Sequence, residues 1–380
     1  MNATKQTAFT SVSLAALLGL GLLAASPVFA KDEKAAQAQE MREADKPMGQ
    51  VLKELQKLGV KPVAKLSVEE ARKQPTPADA VKAVLKAEGK DPVALMAAMK
   101  VSKKDMTFPT GGGTQPVRIY TPETTGSGPL PVIVYWHGGG FVIADIETYE
   151  ASAMALAHKT GAIVVSAEYR HAPEAKFPAQ GEDAIAAYKW VIENGGQFNA
   201  DTKRVAVAGE SAGGNLAINV AIAARDMKLQ APLHMLLVYP VAGVDTETPS
   251  YREHKMTAPL SSADLLWYFD KTLNGPQDKQ DPRLDVIGKA DLKGLPSATV
   301  INAEIDPLAS DGKLLSEKLK KAGVEVTHKT YEGVTHEFFG MAPLVPDAEK
   351  AQTLAAKELK EAFSGASSTG STGARKKSED

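Results

Sequence analysis

The 380-residue chain contains no cysteine. It can form no disulfide and carry no lipid on a thiol, so its stability must come from packing. It also lacks an excess of basic charge: 44 Lys and Arg against 46 Asp and Glu leave a net charge of -2 with the histidines neutral. That balance argues against a nucleic-acid partner. Beyond residue 30 there is no long apolar run, so no stable membrane span is expected in the chain that follows. No internal repeat or heptad series is visible, and neither a glycine-rich phosphate cradle nor a zinc-ligand cluster stands out, so no cofactor or metal is expected. What is present is an ordinary globular composition, 43% hydrophobic and 24% charged, enough to bury one large core or two smaller ones.

The first 30 residues read as a signal peptide. Lys5 gives a positive start, residues 12–25 are small and apolar, and Val28-Phe29-Ala30 offers small residues at a cleavage position. Cleavage after Ala30 and a periplasmic or secreted location are expected, because a run of this length is short of the roughly 20 residues that span a bilayer. Residues 31–105 read as a helical region. Met48, Val51, Leu52, Leu55 and Leu58 recur at helical spacing, Ser67 with Glu70 makes a capping box, and Asp91-Pro92 opens a further helix. From residue 106 the pattern changes to short β-prone runs at 117–120, 131–136, 162–167, 205–208, 235–239, 298–301 and 324–330. Amphipathic stretches at 182–193, 214–227, 310–322 and 349–362 read as helices. Strands alternating with helices predict an α/β fold with a mainly parallel central sheet flanked by helices, spanning 106–363. The Ser, Gly and Thr-rich residues 364–380 are expected to be a disordered tail.

Ligands of such sheets bind at the carboxyl ends of the strands, and the chemistry-bearing motifs fall there. Gly209-Glu210-Ser211-Ala212-Gly213 joins a strand to a helix with the spacing of a nucleophile elbow, a turn so sharp that only residues without bulk fit at Gly209 and Gly213. Alone it is weak, since chance supplies such a pentapeptide in roughly one chain in ten of this length. His137-Gly138-Gly139-Gly140 follows another strand, and its bare backbone N–H groups, with that of Ala212, are candidates for an oxyanion hole. A serine needs a base, and His336, on the turn after the last strand, has the position for it; His328 lies within a strand and reads as a packed residue. Asp306 is the best-placed acid for that histidine, with Asp311, Glu304 and Asp245 as the other candidates.

Together, residues 130–140, Tyr169-Arg170-His171-Ala172-Pro173-Glu174 with Phe177-Pro178-Ala179 and Asp183, the elbow, Asp306-Pro307-Leu308 and His336 resemble the hormone-sensitive-lipase-like esterases and lipases of the α/β-hydrolase fold. The resemblance implies an N-terminal helical cap over the site, a Ser211, Asp306, His336 triad, and hydrolysis of short to medium acyl esters without a cofactor. It also implies a structural role for the 169–174 segment, with Arg170 paired to Glu174 or Asp183. Two positions depart from the commoner pattern: Glu210 replaces an aspartate beside the nucleophile, and Glu337 stands where a glycine usually follows the base. Glu337 is expected to face solvent in preference to competing for the imidazole proton.

The expectation is an exported serine carboxylic-ester hydrolase acting on a small-molecule ester through an acyl-enzyme. An acyltransferase using the same site and a non-catalytic binding protein on a hydrolase scaffold are the alternatives. Met96, Met99 and the surroundings of Phe141 are candidates for setting acyl length, and edge-strand pairing is the expected route to any homodimer.

Overall fold

The computed structural model describes residues 44–123 and 128–369. The expected signal peptide therefore lies outside the described residues, as does the chain beyond Thr369.

Eight strands form one sheet: β1 (Val101–Thr110), β2 (Gly113–Pro122), β3 (Leu130–Trp136), β4 (Ile163–Ala167), β5 (Ala200–Glu210), β6 (His234–Val238), β7 (Ser297–Ile305) and β8 (Val326–Thr335). Their spatial order is β1-β2-β4-β3-β5-β6-β7-β8. The β1–β2 and β2–β4 pairs are antiparallel, and every pair from β4 to β8 is parallel. The mainly parallel sheet expected from the sequence is thus present, extended by an antiparallel strand that the apolar pattern does not announce. Strand β1 carries Ser102, Lys103, Lys104 and Asp105 in its exposed first half, so it lacks the apolar alternation of a half-buried strand. It holds an edge and needs little apolar surface. The helical region accordingly ends before Val101 and not at residue 105.

Both faces of the sheet are covered, and the period of two along a strand assigns side chains to them. On β3, Val132, Val134 and Trp136 point into a core shared with α6 (Ala179–Asn194), α7 (Ala212–Asp226) and α11 (Ala309–Lys321). Ile133 and Tyr135 point the other way, toward α1 (Lys46–Lys57), α3 (Pro77–Ala87), α5 (Glu150–Thr160) and α12 (Pro346–Thr369). This two-sided burial is why the central strands read as continuous Val, Ile and Ala runs. Helix α12 continues through Thr369, so residues 364–369 are helical where a disordered tail is expected.

The N-terminal helices form as their sequence dictates. Asp45 caps α1, whose Met48, Val51, Leu52 and Leu55 are buried, while Leu58 is its exposed C-cap. The Ser67–Glu70 capping box starts α2 (Val68–Lys73), and Asp91 caps α4 (Pro92–Ala97). A second helical insertion, between β6 and β7, contains α8 (Pro249–Glu253), α9 (Ser262–Thr272) and α10 (Val286–Lys289). Sequence reading leaves this segment unassigned because α8 and α10 have only 5 and 4 residues, and the apolar residues of the 11-residue α9 run consecutively from Leu265 to Phe269 in place of a clean stripe.

Candidate active site

The site begins at the turn from β5 into α7. Ser211 has φ 56° and ψ -117°, a strained conformation for a residue with a side chain. The turn is enforced by backbone contact. A Cβ on Gly209 would lie 2.1 Å from the carbonyl oxygen of Gly213, and one on Gly213 would lie 2.0 Å from that of Trp136. The Ser211 N–H donates to Val238 O at 2.9 Å, tying the elbow to β6, and Ser211 lines a cavity of about 400 Å³. His336, at the end of β8, lines the same cavity.

Asp306 follows β7 and is fully buried. His336 Nδ1 lies 2.7 Å from its Oδ2, while Leu308 N–H donates to its Oδ1 at 2.8 Å. With Nδ1–H held by the carboxylate, Nε2 is the nitrogen able to accept a proton. Burial by itself disfavours the imidazolium, but Asp306, and after it Glu337 and Glu210, outweigh that effect and hold the histidine above its ordinary pKa. The other acid candidates are occupied elsewhere. Asp311 accepts the N–H groups of Ala242 and Gly243, Glu304 accepts that of Gly333, and Asp245 accepts that of Glu247. His328 is half-buried on β8, as its strand position predicts.

Each glycine of the 138–140 loop is sterically required. A Cβ would meet the Tyr149 hydroxyl at 2.3 Å from Gly138, the carbonyl oxygen of Ile143 at 2.1 Å from Gly139, and the Tyr268 ring at 2.2 Å from Gly140. Gly139 and Gly140 form part of the cavity wall, whereas Gly138 and Ala212 do not. Ala212, as the first residue of α7, carries an N–H with no intrahelical acceptor. The loop is braced from behind by His137, whose Nε2 is 2.8 Å from Glu168 Oε1 and whose ring stacks on Tyr169 at 4.6 Å. His171 Nε2 lies 3.1 Å from the same oxygen. His137, Glu168 and His171 are the one group of three metal-capable side chains among the described residues. They are already paired with each other: burial raises the Glu168 carboxyl, yet the two histidines hold it far below the carboxylate range, and His137 is raised in turn. The arrangement is that of an ion-paired brace.

Arg170 grips Asp183, with Nε to Oδ2 and Nη2 to Oδ1 both at 2.8 Å. Glu174 instead pairs with Arg72 of α2, at 2.7 and 2.8 Å, so one end of the 169–174 segment holds the N-terminal helices. Those helices contribute Leu55, Val63 and Ala71 to the cavity, and the insertion after β6 contributes Leu260, Leu265 and Tyr268. Phe141 lines the cavity as well. Met96 does not; it lines a second cavity of about 520 Å³, and Met99 lines neither. Tyr149 lines both spaces, whereas α4 lines only the second.

The expectation for Glu337 is overturned. The chain leaves His336 in a left-handed turn, φ 71° at Glu337, which carries this side chain inward. Only 21% of it is exposed; its Oε1 accepts the Tyr149 hydroxyl at 2.5 Å and lies 3.9 Å from His336 Nε2. Glu210 is also buried, accepting the hydroxyls of Tyr135 at 2.6 Å and of Tyr239. Nothing in the pattern of either segment signals these tyrosines, which come from β3, the residue before α5 and the residue after β6 and meet only in the fold.

Comparison with known proteins agrees with this architecture. A family model described as the alpha/beta hydrolase fold matches residues 133–340. The chain is 36% identical over 279 residues to the carboxylesterase NlhH of Mycobacterium tuberculosis, covering 72% of this chain and 86% of that protein. A solved thermostable esterase from Pseudomonas putida superposes with a TM-score of 0.74 at 31% identity, covering 84% of this chain and 98% of that one. A hyperthermophilic esterase from the archaeon Pyrobaculum calidifontis gives 0.69 at 35% identity, with 81% and 95% covered.

Proposed function

The chain belongs to the hormone-sensitive-lipase-like esterases of the α/β-hydrolase fold and is a carboxylic ester hydrolase, and on that premise we propose that it cleaves short to medium acyl esters through an acyl-enzyme on Ser211. The observation that carries this reading is the 2.7 Å pair of His336 Nδ1 with Asp306, opening onto the cavity that Ser211 lines. His336 Nε2 takes the proton of Ser211 as the hydroxyl attacks the ester carbon, and Asp306 stabilises the imidazolium that forms. In this reading the backbone N–H groups of Gly139 and Gly140, on the cavity wall, and of Ala212, beside the nucleophile at the start of α7, receive the negative oxygen of the tetrahedral intermediate, each donor worth about 10²- to 10³-fold in rate. The alcohol departs with the proton from His336, and water repeats the sequence on the acyl-enzyme. A cavity of about 400 Å³ walled by leucines and aromatics supports an acyl group of modest length.

Turnover of p-nitrophenyl esters of increasing chain length, beside a Ser211→Ala control and labelling by a phosphonate, tests this reading. Absence of Ser211 labelling would refute it, and a burst of p-nitrophenol without turnover until an alcohol is added would point to acyl transfer. Export is part of the proposal, supported by the charged start, apolar run and small residues of the first 30 positions. Expression of the full chain in a Gram-negative host and sequencing of the mature N-terminus, expected at Lys31, tests it.

A further inference from the structure

Behind the proposed base lies a cluster of acids and phenols for which the ester cleavage sequence has no step. Glu337 occupies backbone at φ 71°, a conformation that favours glycine and strains any residue with a Cβ. Its carboxylate is also drawn out of bulk water, held by Tyr149 at 2.5 Å and set 3.9 Å from the nitrogen of His336 that handles the proton. Strain and desolvation at one residue beside the chemistry ask for a compensating role.

We infer that Glu337 is a positioning residue for the proposed general base: clamped by Tyr149 and coupled to the buried Glu210, it supplies the second negative charge that governs when His336 can accept a proton. The inference rests on the reading of Ser211 and His336 given above.

The surroundings determine the sign. On its own segment Glu337 faces His336, and from the residue before α5 it faces the Tyr149 hydroxyl. Burial raises its carboxyl above the ordinary range, while His336, Tyr149 and the more distant His137 pull it down and Asp306 pushes it up. Glu210, at the end of β5, is its acidic neighbour. Burial and then the charge of Glu337 push Glu210 up to about 7, against the hydroxyls of Ser152, Tyr135 and Tyr239. Tyr239 also lays its ring 4.5 Å from that of His336, joining Glu210 to the base by direct contact. The charge of Glu337 also reaches Tyr268 on α9 and Tyr169 after β4, as a minor contribution behind burial.

The charge of Glu337 helps to raise Glu210, which therefore gives up its proton only near neutrality. While Glu337 is ionised it favours the imidazolium of His336. Removing that charge lowers the histidine's pKa, so the neutral, proton-accepting form persists to lower pH. Glu337→Gln should therefore move the acid limb of the kcat/KM profile down by about one pH unit, the lower end of the effect expected of an opposite charge within ~4–6 Å. Tyr149→Phe removes a donor that favours the ionised carboxylate, and should move the limb the same way by less. Glu337→Gly should reproduce the shift while raising the melting temperature, because glycine relieves the left-handed turn.

The experiment is a pair of titrations on the full mature protein: kcat/KM against pH with a p-nitrophenyl ester, and the His336 imidazole followed by NMR in ¹⁵N-histidine-labelled protein, assigned with a His336 variant. A downward shift in both measurements for Glu337→Gln supports the inference. An unmoved acid limb and imidazole titration overturns it, even if the plateau rate falls, because a purely structural carboxylate changes rate without moving the titration. Full activity of Ser211→Ala would instead overturn the proposed acyl-enzyme on Ser211, so the two failures are distinguishable.

Discussion

Arg72 and Glu174 form a two-pronged pair, 2.7 and 2.8 Å, between helix α2 and the loop after β4. The same guanidinium donates to the carbonyl oxygens of Val142 and Ala172, each at 2.9 Å. Glu174 is 63% exposed, so the ion pair itself is worth no more than about 1 kcal/mol. The carbonyl contacts do more, because they fix α2 against the loop that follows the 138–140 glycines. Arg72→Ala is expected to raise KM several-fold with a smaller change in kcat, whereas Glu174→Ala should change either little. Steady-state kinetics on one ester at low and high salt separates the two.

The elbow predicts a sharp contrast between glycines. Gly209→Ala places a methyl 2.1 Å from a backbone oxygen that cannot move without breaking the turn, and should cost about 3 kcal/mol or more, or prevent folding. Gly196→Ala meets nothing within 4 Å and should be neutral within about 0.5 kcal/mol. Soluble yield and thermal melts of the two variants give the comparison.

Asp306→Asn should preserve the fold and lower kcat by about 10⁴-fold, since the amide favours the wrong tautomer of His336. Asp311→Asn should leave kcat within a few-fold, because that carboxyl serves the N–H groups of Ala242 and Gly243. Near-normal turnover by Asp306→Asn would exclude it as the acid.

Stability should fall as pH rises from about 4 to about 7. Burial raises Asp311 from 3.8 and Glu210 from 4.5, each to about 7. Between the unfolded and folded values these groups are protonated when folded and ionised when unfolded, so the native state binds more protons and loses stability with each step upward. His234, lowered by burial from 6.5 to about 4, opposes them over part of this range without offsetting both, and Glu174, pulled down to about 2 chiefly by its hydrogen bond from Arg72, acts in the opposite sense only below about 4.5. Thermal melts from pH 4.5 to 8 should show the decline in the parent chain and a shallower one in Asp311→Asn.

Local pattern carries the parallel core of the fold and the place of each candidate group. Short runs rich in Val and Ile and bounded by turn residues are read as central strands from their length and β-branched content, and Gly209 with Gly213 can be read from spacing because the elbow is a short-range steric problem. The position of His336 after the last strand, and of Asp306 after the one before, follows from strand order alone. Strand β1 escapes such reading because an exposed edge places no demand on its side chains, and the insertion that adds Leu260, Leu265 and Tyr268 to the cavity escapes it because the apolar residues of α9 run consecutively from Leu265 to Phe269 and not at helical spacing.

The electrostatic setting of the base is tertiary throughout. Tyr135, Tyr149, Tyr239, Glu210 and Glu337 come from distant parts of the chain, and what each does depends on burial and on distances of a few ångströms that no spacing rule encodes. By itself the sequence determines which groups stand at the strand ends. Only the packing of the sheet and its two helical covers decides that Glu337 turns inward, because adjacency to His336 does not fix which way a side chain points, and its charge depends on the burial and the Tyr149 hydroxyl that packing supplies.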